Sequence, residues 1–309
     1  MWPRLTNFGS GSLTAGLVTV GAPDAGNNPE NVQRGLSWLK SRNIEVKWAK
    51  HALNTKGFLA DDPEKLADDL HTMLRDPAID FVLTTGGGAN ANEILPYLDP
   101  EVLRLHPKPI IGMSNTTLVL NHMTARSGVV SFHGPVLVWN LGSEAGLDAY
   151  TEVHMNRALG GTESLRVEPE PSWKWLRQGS GEGCIWGGNL WSFDQLLGTP
   201  YALDMKDGVL FIEDCFAELH NIAACLAHLA QCGIFKDLAG LVIGVPLECV
   251  ETEMKDARDF DALVLNACRG SRFPILSGVR LGHTDTKITV PIGARTRLDS
   301  SHNLFEFSH

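Results

Sequence analysis

The sequence predicts an α/β chain in two parts, a parallel-sheet first half and a β-rich second half. Three observations carry this. From Thr14 to about Phe132, short β-branched runs alternate with helical stretches, the pattern of βαβ units around a parallel sheet. The 309 residues amount to about two domains at roughly 150 residues each. Between them, residues 142–171 are rich in Gly, Glu, Ser and Pro, lack clear periodicity and end in Glu168-Pro169-Glu170-Pro171. The expected division is an α/β domain over 1–141, a linker over 142–171 and a β-rich domain over 172–309.

In order, strands are expected at Leu17–Val20, Ile44–Trp48, Phe81–Thr85 and Pro109–Met113, with helices between them. Asn28-Pro29 and Asp62-Pro63 mark helix starts, each with a capping side chain before a proline at the first helical position. Val32, Leu36 and Leu39, then Leu66, Leu70, Met73 and Leu74, recur at helical spacing and give each helix one apolar stripe for the core. Beyond the linker, strands at Gly208–Ile212 and Gly240–Val245 flank a helix from about Glu218 to Gln231. A second helix is expected near Phe260–Cys268, and the last third reads as further β structure.

Hydrophobic residues make up 43% and charged residues 20%, which suits a globular chain with a sizeable core. The formal charge is −10 and no basic stripe offsets it, so nucleic acid is not an expected partner. Leu5 to Pro23, the longest uncharged opening segment, is broken by Thr, Asn, Ser and Gly. It supplies neither a membrane span nor a signal h-region, so a cytoplasmic location without membrane contact is expected. The six cysteines form no Cys-x-x-Cys or zinc spacing and read as reduced structural thiols. No metal and no cofactor is expected.

Gly86-Gly87-Gly88-Ala89-Asn90-Ala91 follows a strand and opens a helix, which fits G-x-G-x-x-A loosely. A dinucleotide fingerprint sits on the first βα turn, with an acidic residue ending the next strand, whereas here the third strand carries it and the next ends in Ser114-Asn115. Bare backbone N–H groups at such a turn can hold an oxyanion as well as a phosphate, or the glycines can simply make a tight turn. Gly112-Met113-Ser114-Asn115 lies where a strand turns into a helix, the place at which a nucleophile elbow lifts a serine. The second glycine of G-x-S-x-G is missing, and a serine there can equally serve as a helix cap.

A nucleophilic serine needs a base and a group that orients the base. Among eleven histidines, His283 sits in a glycine-flanked loop, with His133 at a strand end as its rival. His220 and His228 lie on one helix and read as surface. Glu213 ends the run Val209–Ile212, where a charge without a partner is costly; Asp214 beside it can cap the following helix. Trp173, Trp175, Trp186 and Trp191 cluster among glycines; at least two of them suit core packing, and one can wall a substrate ring.

In this order, these segments resemble the LD-carboxypeptidase family of serine peptidases, and within it the microcin-immunity branch. The matching blocks include Thr85-Gly86-Gly87-Gly88, Pro109-Ile110-Ile111-Gly112-Met113-Ser114, Phe132-His133-Gly134-Pro135, Trp186-Gly187-Gly188-Asn189-Leu190, Phe211-Ile212-Glu213-Asp214 and Gly282-His283-Thr284. The resemblance implies a flavodoxin-like N-terminal domain, a β-rich α+β C-terminal domain, an active site between them, and a homodimer. It makes Ser114 the nucleophile, Glu213 the orienting acid and His283 the base, with Gly87, Gly88 and Asn115 at the oxyanion hole. Trp173, Trp175, Trp186 and Asn189 are the expected substrate-binding residues.

The implied substrate is a small peptidyl- or aminoacyl-nucleotide amide. Alternatives are removal of terminal D-alanine from murein tetrapeptides and a non-catalytic nucleotide-binding module. Three departures stand out. Asn115 replaces an Asp common after the nucleophile. Thr85 replaces an Arg usual before the glycines of the cell-wall branch. Residues 142–171 carry no Trp where the immunity branch has an aromatic-bearing loop.

Overall fold

The alternation in the first half folds as a parallel sheet whose strand order puts Ser114 at a strand end. A computed structural model describes residues 1–5, 12–160, 164–250, 252 and 259–309. The chain forms two units, residues 1–162 with 285–293 and residues 163–284 with 294–309.

In the first unit, β1 (Leu13–Val18), β2 (Ile44–Trp48), β3 (Phe81–Thr84), β4 (Ile110–Gly112) and β5 (Ser131–His133) lie in the order 2-1-3-4-5, all parallel. That is the flavodoxin-like order. A sixth strand, β12 (Val290–Ile292), pairs antiparallel with β5 at the edge. Its Pro291 is tolerated there because an edge strand can spare an N–H. Phe81, Val82, Leu83, Ile110, Ile111 and Phe132 fill the sheet interior.

The helices of this unit are α1 (Asp24–Asn27), α2 (Pro29–Ser41), α3 (Pro63–Arg75), α4 (Pro100–Leu105), α5 (Thr117–Ser127) and α6 (Ala149–Gly160). Leu66, Leu70 and Leu74 of α3 are fully buried, and each contributes about 1.5–3 kcal/mol. Both proline starts hold, but not the expected caps. Asn28 Nδ2 instead donates to the Asp24 carbonyl, and Asp62 pairs with Lys65 and Lys56. The glycine turn leads not into an α-helix but into a 3₁₀ stretch, Ala91–Tyr97. Asn90 at φ 66° starts it, and Pro96 inside it removes an i→i−4 hydrogen bond. The expected linker contains α6; its residues 161–163 lie outside the described ones.

In the second unit, β6 (Ser164–Val167), β7 (Lys174–Arg177), β8 (Ser180–Asn189), β9 (Val209–Glu213), β10 (Gly240–Gly244), β11 (Ile275–Val279), β13 (Arg295–Asp299) and β14 (Leu304–Ser308) form one sheet in the order 6-14-13-8-9-10-11-7. Strands β8, β9, β10 and β11 run parallel, and the flanking pairs are antiparallel. Helices α7 (Leu190–Asp194), α8 (Leu219–Gln231) and α9 (Phe260–Ala267) accompany it. Among the described residues, no helix is long and apolar enough to cross a membrane.

Candidate active site

In the first unit, β4 ends at Gly112 and the chain turns through Ser114 before entering α5. Ser114 has φ 63°, a left-handed conformation that costs a non-glycine residue about 1–3 kcal/mol and persists only where surrounding structure enforces it. A left-handed residue between a strand and a helix is the geometry in which an elbow presents its side chain off the end of a sheet. The missing second glycine has a local explanation. A side chain at Gly112 would lie 2.5 Å from Thr116 Cγ2, so Gly112 alone makes the room for Thr116.

The glycine loop after β3 lies against this elbow. A Cβ on Gly87 would come 2.5 Å from Ser114 Cβ and 2.6 Å from the Met113 carbonyl. Two hydrogen bonds lace loop to elbow. Buried Asn115 accepts from the Ala91 N–H at 2.7 Å through Oδ1, and Thr116 Oγ1 donates to the Gly86 carbonyl at 3.2 Å. An Asn oxygen accepts this bond as an Asp would, while its backbone N–H at the elbow is the same in either residue. Thr85 directs its hydroxyl to Thr19 Oγ1 at 2.6 Å.

Sequence reasoning missed two residues beside this loop. Asp24 begins α1, and a side chain at Gly86 would collide with its carboxylate. Burial raises its pKa, opposed by hydrogen bonds from the Trp139 indole and the Gly87 amide. Trp139 sits in a single π-helical turn, Leu137–Leu141, and remains 48% exposed. That turn is tied to the loop by the Val138 N–H donating to the Thr85 carbonyl at 2.9 Å. Trp139 lies just ahead of residues 142–171, the stretch that carries no Trp.

In the second unit, Glu213 closes β9 and is 1% exposed. Its Oε2 accepts from His283 Nδ1 at 2.7 Å and from the His283 backbone N–H at 3.2 Å. An ionised carboxylate only accepts, so Nδ1 carries the proton and Nε2 is left for chemistry. Burial alone would push the His283 pKa down. The Glu213 charge and the imidazole's side-chain hydrogen bonds to Cys215 and Glu213 more than offset it, so the His283 pKa is raised above its usual value. Gly282, at φ 83°, permits the approach, because a side chain there would overlap the Glu213 carboxyl group. Cys215, beside His283, was not singled out from the sequence.

Of the expected substrate-binding residues, Asn189 lies opposite Glu213 in the β8–β9 register. Its Nδ2 donates to Asp214 at 3.0 Å, and its Oδ1 accepts from the Ser192 N–H and hydroxyl. Asp214 is buried and also accepts from the Trp191 and Cys215 N–H groups. Trp186 stands three residues before Asn189 on β8, paired with Leu210. Trp173 packs on Phe305, and Trp175 donates its indole N–H to Asn303 at 2.8 Å, which places these two apart from the Asn189 and Glu213 pairing. His133, at the end of β5, is 1% exposed, and His228 pairs with Asp194. Among the described residues, no three His, Cys, Asp or Glu side chains cluster to hold a metal ion.

Two matches define the class of the chain. Residues 16–134 match the LD-carboxypeptidase N-terminal domain and residues 182–298 the LD-carboxypeptidase C-terminal domain, so the chain belongs to the LD-carboxypeptidase family. A probable murein peptide carboxypeptidase of Bacillus subtilis (strain 168) is 30% identical over 300 residues, covering 97% of this chain and 92% of the relative. The microcin C7 self-immunity protein MccF of Escherichia coli is 24% identical over 312 residues, covering 93% of this chain and 90% of MccF. The structure of MccF in complex with aspartyl sulfamoyl adenosine shares the fold, with a TM-score of 0.89 at 21% identity and 99% of each chain covered.

Proposed function

We propose that the protein is a serine amidase that cleaves the amide linking an aminoacyl or peptidyl group to a nucleotide-like moiety. The observation that carries this reading is the left-handed Ser114 at the turn from β4 towards α5, with a glycine loop packed against its Cβ. In the reaction, Ser114 Oγ attacks the amide carbonyl and His283 Nε2 takes its proton. The carbonyl oxygen becomes an oxyanion, which the Asn115 N–H and the glycine loop at Gly87 and Gly88 stabilise. Collapse breaks the C–N bond, and His283 returns its proton to the leaving nitrogen. Water then releases the acyl group from Ser114 by the same path. Glu213 holds His283 in the tautomer this requires and stabilises the imidazolium. Asn189 and Trp186 serve the substrate from β8.

The nucleotide-like leaving group is supported by the likeness to MccF and by the half-exposed Trp139 near the loop, a surface on which a base can stack. The 30% identical relative named for murein peptides favours a second reading, release of terminal D-alanine from a murein tetrapeptide by the same residues. Both substrates offered side by side to the wild type decide between them. Faster turnover of an aminoacyl-nucleotide amide is expected; turnover of the tetrapeptide alone would transfer the assignment to cell-wall peptides. Loss of both activities in Ser114→Ala is expected in either case.

A further inference from the structure

Asp24 carries a charge that the proposed reaction does not use. Its Oδ2 is fully enclosed and has no hydrogen-bond partner. No basic side chain pairs with the carboxylate among the described residues; its neighbours are the Trp139 indole and the Gly87 amide. A carboxylate so placed costs free energy that two neutral donors do not recover, which points to a role outside folding.

Its position supplies that role. The carboxylate rests where a Gly86 side chain would be, and Ser114 Cβ where a Gly87 side chain would be, one residue further on. Successive Cα atoms are 3.80 Å apart, which bounds the separation of Asp24 Oδ2 from Ser114 Cβ at about 11 Å. An acyl group with its carbonyl at Ser114 and an amine a few bonds away spans such a distance. Asp24 as a residue is only partly buried.

We propose that Asp24 reads the acyl half of the substrate by binding its primary ammonium group. This rests on the amidase reading above and adds to it a preference for acyl groups with a free amine. A free carboxylate at the same place is repelled. The ammonium can be an α-amino group or a side-chain amine, and the probes below separate the two.

Binding is measured by calorimetry with three lysyl adenosine analogues in which a methylene replaces the scissile amide nitrogen, so that no C–N bond is left to cleave: unmodified, Nα-acetylated, and acetylated on both amines. Wild type, Asp24→Asn and Asp24→Ser are compared, and turnover of an aminoacyl-nucleotide amide is followed in parallel. For the wild type, the doubly acetylated probe is expected to bind at least about tenfold more weakly than the unmodified one. Both variants lose that discrimination while retaining wild-type affinity for the doubly acetylated probe. The Nα-acetylated probe assigns the site to an α-amine if it binds weakly and to a side-chain amine if it binds well. Equal affinity of the wild type for the unmodified and doubly acetylated probes overturns the proposal, as does a variant that weakens both alike. Failure of the amidase reading shows separately, as absence of turnover in the wild type.

Discussion

Glu213 Oε2 meets both the ring Nδ1 and the backbone N–H of His283, at 2.7 and 3.2 Å, so one oxygen fixes the imidazole in place and tautomer together. Glu213→Gln keeps the shape but loses the charge. Turnover is expected to fall about 10²–10⁴-fold.

The same pair sets the pH dependence. The Glu213 charge and the Cys215 and Glu213 hydrogen bonds outweigh burial and raise the His283 pKa. The base is therefore protonated at pH values where a free imidazole is already neutral, and activity should keep rising with pH above the usual histidine range. In Glu213→Gln the rise should move to lower pH. For stability the sign is opposite: a raised histidine pKa favours the fold below its ordinary value and loses that contribution as pH climbs through the raised one. Urea unfolding across this range should show wild type losing its advantage over Glu213→Gln as pH increases.

Gly282→Ala places a methyl group onto the Glu213 carboxyl and forces φ 83° on an L-residue. A loss of about 1–3 kcal/mol in denaturant unfolding is expected, with activity falling further than stability explains.

Gly87→Ala acts at the other end of the reaction. The new Cβ would sit 2.5 Å from Ser114 Cβ and must push the loop off the elbow. Because displaced oxyanion donors matter in the transition state, kcat should drop about tenfold or more with a smaller change in KM.

Asp24→Asn should leave the protein as stable or more stable near neutral pH. Burial, the leading cause, raises the Asp24 pKa, so the folded state holds this proton more tightly than the unfolded one, and ionisation costs stability. The melting temperatures of variant and wild type should converge as pH falls below the ordinary carboxylate value.

Much of this was legible in the sequence. β2 was legible to the residue from its apolar–charged alternation, which fits a half-exposed edge strand, and β9 and β10 to within one, because buried parallel strands demand continuous apolar stretches. Ser114 was legible as a strand-end serine, whereas its left-handed φ carried no signal in the sequence. Glu213 was conspicuous as a charge ending a buried strand. Asp24, Trp139 and Cys215 were not legible, because each matters through a neighbour far along the chain: Gly86 for Asp24, Thr85 for the Trp139 turn, His283 for Cys215. The return of 285–293 to the first sheet was hidden for a similar reason, since three residues with a central proline carry no strand signature until β5 pairs with them.

The central claim is that Ser114 forms the bond to the acyl group. Its most direct test is the rate at which wild type and Ser114→Ala hydrolyse an aminoacyl-nucleotide amide under identical conditions. The account predicts a loss of about 10³-fold or more in kcat with the fold retained; a variant turning over within tenfold of wild type would contradict it.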